Sequence, residues 1–165
     1  MLFVPLAFAQ QTETSKKIYQ NVEVEKFAIR QGVEYPVEKI DPLMAIIVHE
    51  LREVPAFSAV AMVGEAGAPA SAETATLKIS GEIVKFDKGN RAMRYVIGMG
   101  TGKTKIIVNV KFIDVKTGET VLETIVDGDI SKGIFGGNNA DARSEVADEI
   151  VKVAKKNFTQ DKKKK

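Results

Sequence analysis

The sequence predicts a single α+β domain, a two-layer sandwich in which two helices cover one face of a mostly antiparallel sheet of about five strands. Two segments repeat apolar residues at helical spacing, and five others alternate apolar with polar residues or form short apolar runs between turn residues. These segments follow one another in the order β-α-β-β-β-β-α. The length of 165 residues and the hydrophobic content of 44% fit one domain with its own core.

Helical spacing of apolar residues predicts the two helices. The first is expected to begin at Asp41-Pro42, with the aspartate as N-cap and the proline at the first helical position, and to end at Pro55. The second is expected to run over residues 140–157 with Asn139 as its N-cap. The two apolar stripes are formed by Leu43, Ile46, Ile47, Leu51 and Val54, and by Val146, Ile150, Val153 and Phe158.

Five segments are predicted to be strands, and the last three of them to form a meander. A change of phase between Gly81 and Val84 indicates a β-bulge. Asp114 to Gly118 has the composition of a tight turn, with Gly118 suited to a positive φ. The predicted strands are Ile18–Ile29, Ala56–Val63, Thr74–Phe86, Lys105–Val115 and Glu119–Ile130. The predicted core includes Leu43, Ile47, Leu51, Val108, Val110, Val146 and Ile150.

The N-terminal residues resemble the end of a signal peptide. The apolar run Leu2–Ala9 closes on Ala7-Phe8-Ala9, which fits a signal-peptidase site with cleavage before Gln10. A buried N-terminal strand is the alternative interpretation. The run lacks a preceding basic region and is too short to span a membrane. The predicted organisation is a signal-peptide remnant at 1–9, a flexible segment at 10–17, one α+β domain at 18–158 and a lysine-rich tail at 159–165.

The N-terminal pattern predicts an exported protein. The tail ends in four consecutive lysines, which offer a peripheral contact with an anionic membrane surface. Removing these four charges from the formal net charge of +2 leaves −2, so the rest of the chain is near neutral. A near-neutral domain argues against nucleic acid as a general partner.

Composition excludes several kinds of site. The chain has no cysteine, which rules out a thiol nucleophile, a disulfide framework and a thiolate metal site. It has one histidine, His49, which is expected on the polar side of the first helix as a surface residue. The acidic residues Asp127, Asp129 and Asp141 with Asn138 and Asn139 lack the spacing of an EF-hand and only weakly suggest calcium.

The segment Gly98–Thr104 suggests a nucleotide-binding loop but fails on spacing. A P-loop requires glycine at the position that Ile97 occupies, and it requires a helix where the strand pattern from Lys105 begins. We therefore interpret the segment as a glycine-rich turn or strand crossover that binds no nucleotide. Its three glycines at alternate positions would let backbone approach a neighbouring subunit.

The pattern from residue 81 onward resembles the bacterial domain-of-unknown-function 4410 family, whose members are exported envelope proteins and often lipoproteins. The similarity covers about residues 18–158 and is tightest over 81–120. It implies a periplasmic or secreted protein of the bacterial cell envelope. It also implies a fold related to the periplasmic domain of the curli secretion channel and to the N-terminal domain of the Tol translocation protein. No lipidation cysteine or catalytic residue carries over. The matching elements are Gly81-Glu-Ile-Val, Gly89-Asn90, Arg94, Gly98-Met-Gly100-Thr-Gly102-Lys, Val108 to Phe112 and Asp114-Val-Lys-Thr-Gly118.

The resulting functional prediction is a non-enzymatic envelope domain that acts as an assembly or binding module. Its expected partner is a second copy of itself or another envelope protein, with no cofactor, metal or catalytic residues. The alternative is a small-ligand or anion-binding protein, or an enzyme in which Arg94 and Lys103 hold an anionic substrate. The candidate interaction loop consists of Arg94, Gly98, Gly100, Gly102 and Lys103.

Overall fold

A computed structural model describes residues 16–65, 75–88, 104–129 and 142–160. It contains six strands, two α-helices and one short 3-10 turn, Val37–Lys39, within these ranges. The helices are α1 (Ile40–Arg52) and α2 (Ala142–Phe158). The strands are β1 (Asn21–Val24), β2 (Ala28–Ile29), β3 (Ala59–Met62), β4 (Thr76–Asp87), β5 (Lys105–Asp114) and β6 (Thr120–Asp129).

The strands form one mixed sheet in the order β3-β1-β4-β5-β6, with the short β2 also paired to β4. The two long ladders, β4 with β5 and β5 with β6, are antiparallel. The three short ladders that involve β1 and β2 are parallel. The predicted α+β class and the meander of the last three long strands are therefore confirmed. The path of five paired strands ends at β3 on one side and at β6 on the other.

The first predicted strand is divided in two. The expected single strand Ile18–Ile29 becomes β1 and β2, because Phe27 turns into the core between them. The register of β4 against β5 shifts between Ile83 and Lys85, which confirms the predicted bulge. Gly118 has φ of 71°, which confirms the predicted positive φ of the turn after β5.

The start of α1 differs from the prediction. The helix begins at Ile40 directly after the 3-10 turn, so Asp41 lies in its first turn and is not the N-cap. The cap residue Lys39 forms no side-chain capping bond. The Asp41 carboxylate instead pairs with the Lys26 ammonium at 2.5 Å, beyond β1. An acid in the first turn still interacts favourably with the helix dipole.

The start of α2 is described from Ala142, so the predicted cap Asn139 lies outside the described residues. Gly128 of β6 has no β-carbon, and the start of α2 therefore lies very close to the strand at this position. A β-carbon added at Gly128 would lie 2.0 Å from the carbonyl oxygen of Ala142. A side chain at position 128 would therefore push the start of α2 away from β6.

Both helices pack on the same face of the sheet and enclose the core between the two layers. Every second residue of β5 faces this core, from Ile106 to Phe112, while the residues between them face the other side. The seven predicted core residues are all fully buried, which confirms that part of the prediction. His49 is exposed on α1, as predicted.

Candidate functional site

The predicted interaction loop lies outside the described residues. Arg94, Gly98, Gly100, Gly102 and Lys103 all fall within 89–103. The residues that flank this range are held together, because the Thr104 hydroxyl donates to the Lys88 carbonyl oxygen at 3.0 Å. β5 then begins at Lys105. A strand therefore stands where a P-loop requires a helix, as the sequence indicates.

The acidic residues considered for calcium are dispersed where they are described. Asp127 pairs with Lys105 at 3.1 Å, and the Asp129 backbone N–H donates to a Glu145 carboxylate oxygen at 2.8 Å. Asp141, Asn138 and Asn139 lie outside the described residues. Within the described ranges, no group of three or more histidine, aspartate or glutamate side chains is placed to hold a metal ion.

A buried polar cluster fixes the N-terminal segment to the turn after β5. The Asp114 carboxylate is 2% exposed and accepts hydrogen bonds from the Tyr19 hydroxyl at 2.9 Å, from the Thr117 N–H at 3.0 Å and from the Lys17 ammonium. Tyr19 also packs edge-on against Phe158, at 5.6 Å between ring centroids. The cluster therefore joins the N-terminal segment, the β5–β6 turn and the end of α2.

Burial and hydrogen bonding shift the pKa of Asp114 in opposite directions. Burial alone would raise the pKa of this carboxyl, but the bonds from Lys17, Thr117 and Tyr19 outweigh it and lower the pKa to about 2. Burial, followed by the hydrogen bond to Asp114, raises the pKa of Tyr19 above its ordinary value. The carboxylate is thus held ionised and the phenol protonated, which makes the cluster a structural contact.

This cluster was missed in the sequence analysis, although the sequence contains a signal for it. Asp114 continues the every-second-residue pattern of the buried face of β5, after Val110 and Phe112. An aspartate at a buried position requires hydrogen-bonding partners. The partner Tyr19 is 95 positions away along the chain, so spacing alone does not identify it.

The β3 edge of the sheet is capped by its own neighbours. The Val63 N–H donates to β1, so by alternation Val60 and Met62 direct their backbone groups outward. Arg52 Nε of α1 donates to the Val60 carbonyl oxygen at 3.1 Å. Glu65 accepts from the Met62 N–H at 3.2 Å through its carboxylate and donates to the Met62 carbonyl oxygen at 3.1 Å through its backbone. Three of the four outward groups are therefore satisfied.

The β6 edge is open in its central part. The Asp129 N–H donates to Glu145, so the backbone of Asp129 faces away from β5. The β5–β6 register is regular between residues 122 and 129, so Glu123, Ile125 and Asp127 also face outward. None of their six outward N–H and C=O groups is hydrogen-bonded to another described residue. An unpaired edge of this kind is a template for a further strand.

The sheet face opposite the helices, here called the open face, is mostly polar. Cross-strand pairs run along it, with Lys105 on Asp127 at 3.1 Å and the Asn109 amide on Glu123 at 2.8 Å. Ile125 lies among these pairs and is 68% exposed, the most exposed of the large apolar residues described. The polar side chains of the open face favour contact with solvent. The unpaired backbone of the β6 edge, with the exposed Ile125, favours contact with a partner strand.

No helix in the described part of the chain is long and apolar enough to cross a membrane. No curated protein matches the chain.

Solved structures with the same fold exist. The chain superposes on the PelC dodecamer subunit from Paraburkholderia phytofirmans with a TM-score of 0.55 at 17% identity, covering 86% of this chain and 90% of that one. Protein XCC0632 from Xanthomonas campestris gives 0.50 at 11% identity, covering 85% and 82%. The hypothetical protein CT253 from Chlamydia trachomatis also gives 0.50 at 11% identity, covering 83% and 97%. At these identities the likeness establishes the fold alone.

The family model described as "Domain of unknown function (DUF4410)" matches residues 40–133, which is more than half of the chain. The matched range begins with α1, includes the capped β3 edge and ends just after the open β6 edge. The chain belongs to the DUF4410 family.

Proposed function

We propose that this protein is a non-enzymatic, exported cell-envelope domain that acts as an assembly module and associates with a second copy of itself through the β6 edge. The observation that carries the proposal is the contrast between the two edges of one sheet. Three outward groups of β3 are capped from within the chain, while the six outward groups of Glu123, Ile125 and Asp127 have no partner among the described residues.

The capped β3 edge limits how two copies can pair. If β6 of one copy paired with β3 of the next, the contact would repeat without closing unless the rotation formed a ring. Because the β3 edge is occupied, β6 is the edge available for pairing. Two β6 strands side by side in antiparallel orientation give an isologous contact, in which main-chain hydrogen bonds extend the sheet across both copies.

The comparisons support self-association in general terms. PelC from Paraburkholderia phytofirmans, which has the same fold, is described as a dodecamer. The proposal takes from PelC only that this fold is compatible with self-association. The number of copies and the contacts of PelC are not transferred.

The mass in solution tests the proposal directly. We expect light scattering coupled to gel filtration to show an oligomer at about 100 μM. Ile125→Pro removes an outward N–H without breaking a bond to β5, so it should weaken association about tenfold or more. Ile125→Thr is the matched control, since it shortens the same side chain but keeps the N–H, and should change association less than about threefold.

Circular dichroism establishes that each variant is folded. Asp127→Pro, with Asp127→Asn as its control, repeats the comparison at a second outward position should Ile125→Pro fail to fold. A wild-type protein that is monomeric at all concentrations contradicts the proposal. An oligomer that the proline and control variants affect equally contradicts the assignment to the β6 edge.

Export is tested separately. We expect N-terminal analysis of protein purified from the native envelope fraction to give a mature chain that begins at Gln10. A full-length chain that begins at Met1 and remains in the cytosol would exclude a role in the envelope and leave the β6 experiment unaffected.

A further inference from the structure

A groove with a cationic rim lies at the end of the sheet where the described chain begins and ends. It has a volume of about 990 Å³ and lies between the segment leading into β1, the α1–β3 connection and the last turns of α2. Ile18, Val54 and Pro55 contribute apolar surface to it. Its rim carries Lys152, Lys155 and Lys156, and we call it the cationic groove.

The charge of the cationic groove is only partly compensated. No aspartate or glutamate lines it. Lys152 pairs with Glu149 at 2.6 Å, which raises the pKa of Lys152 and keeps it charged. Lys155 and Lys156 are exposed and form no ion pair with any carboxylate of the described residues. Two or more full positive charges therefore border an apolar surface.

The chain continues this charge beyond the groove. Gln160 is the last described residue and lines the groove, and Lys162 to Lys165 follow only two positions later in the sequence. In the sequence, only Asp161 separates these four lysines from Gln160. Basic residues are therefore concentrated in the sequence from Lys152 to Lys165.

The residue types favour a membrane over a protein as the occupant. Protein interfaces are enriched in arginine and depleted in lysine, and the cationic groove has no arginine. Lysine offers a compact charge without the planar fork that matches a single carboxylate or phosphate. Clustered lysines beside a short polybasic segment are typical of a contact with anionic lipid headgroups, while apolar surface between them can meet the interface.

We propose that the cationic groove binds the surface of an anionic phospholipid bilayer, with Lys152, Lys155 and Lys156 against the headgroup phosphates. The domain then lies on the membrane by the end that carries both described chain ends, and the β6 edge stays free along its side. Each lysine near such a surface strengthens binding by about fivefold, so the three together contribute about a hundredfold.

Sedimentation with lipid vesicles tests this inference. The full chain, with its tail, is mixed with vesicles of phosphatidylcholine alone or with about one third phosphatidylglycerol. We expect binding only to the anionic vesicles and a strong loss of binding at 0.5 M salt. The triple variant Lys152→Gln, Lys155→Gln and Lys156→Gln should bind about a hundredfold more weakly.

The matched control changes the same number of charges at the other end of the domain. Lys39, Lys85 and Lys88 are exposed and lie towards the start of α1 and the end of β4, away from the groove. Their triple change to glutamine should weaken binding less than about fivefold. Light scattering must give all variants the same mass as the wild type, so that a change in the number of copies does not mimic a change in lipid contact.

Four outcomes overturn the inference. They are no binding to anionic vesicles, equal losses in the two triple variants, a groove variant that binds like the wild type, and full competition by 10 mM inorganic phosphate. Equal losses would show that binding depends on net charge alone. A groove variant that binds like the wild type would show that the tail binds by itself, and full competition by phosphate would show a site for a free anion. Each of them leaves the β6 experiment unaffected.

Discussion

The outward backbone groups of β3 and β6 differ in how far they are hydrogen-bonded within the chain. On β3, a side chain from α1 and a turn residue occupy outward backbone groups, through Arg52 on Val60 and Glu65 on Met62. On β6, the comparable protection lies at the very end of the strand, where the Asp129 N–H donates to Glu145. Proteins usually protect every exposed edge, because an unprotected one invites another strand. The difference shows that a few neighbouring side chains decide whether the outward backbone groups of an edge strand are hydrogen-bonded.

Removing the cap of β3 should have the largest effect. The double variant Arg52→Ala and Glu65→Ala frees the Val60 carbonyl and the Met62 N–H, so that β3 of one copy can accept β6 of the next. Because a head-to-tail contact adds copies until a ring closes or a filament forms, we expect much larger assemblies than for the wild type, seen as a rise of about tenfold or more in light scattering. Arg30→Ala with Glu82→Ala is the control, since it removes an exposed ion pair of 2.7 Å that caps no edge.

If the double variant keeps the wild-type mass while remaining folded, then Arg52 and Glu65 do not protect β3. The contrast between the two edges would then have to arise from another feature of the fold.

Changing the support behind β6 should have the next largest effect. Gly128→Ala places a β-carbon 2.0 Å from the Ala142 carbonyl oxygen, so α2 must move away from β6. We expect the free energy of unfolding to fall by about 2–4 kcal/mol, measured by urea denaturation. Thr124→Ala, on the same strand, should cost less than about 1 kcal/mol. Equal losses in the two variants would mean that α2 does not pack closely at Gly128.

The smallest effect is expected at the Asp114 cluster, near the start of β6. Asp114→Asn should lower the free energy of unfolding by about 1–2 kcal/mol at neutral pH. The pKa of this carboxyl is lowered in the folded state to about 2, so the ionised form stabilises the fold above the unfolded pKa of about 3.9. This contribution should disappear as the pH falls from about 4 towards 2.

Urea denaturation of the wild type and of Asp114→Asn across this pH range measures the effect. The difference between them should be constant above about pH 5 and shrink below pH 4. A difference that stays the same down to pH 2 would show that Asp114 acts through its shape and not through its charge.

Sequence reasoning predicted the parts of the fold that local patterns specify. The alternation along β5 identifies its buried face, and the turn from Asp114 to Gly118 fixes the β5–β6 hairpin. The start of α1 was misplaced, because the helix continues directly from the 3-10 turn Val37–Lys39 and so already includes Asp41. β2 was not separated from β1, since two residues are too few to form a pattern.

The candidate site could be predicted only in outline. The sequence predicts the strands, but which of them lie at the edges of the sheet depends on β1 lying between β3 and β4. The capping of β3 depends on Arg52, whose position beside Val60 follows from how α1 packs. Contacts of this kind arise from tertiary structure, and no spacing in the sequence reveals them.

The central place of β1 has a consequence for the order in which the chain can fold. β1 is among the first described residues, but both of its neighbours come later, β3 at Ala59–Met62 and the start of β4 at Thr76–Ile79. The Tyr19 N–H just before it bonds to the Phe158 carbonyl oxygen at 3.1 Å. A chain made from its N-terminus therefore carries β1 without both of its neighbours until Ile79 has been made. The bond from Tyr19 to Phe158 can form only when nearly all of the chain is present, so the contacts of this segment close late. A chain that folds slowly while it is being made stays extended for longer. Transport through a narrow channel requires an extended polypeptide.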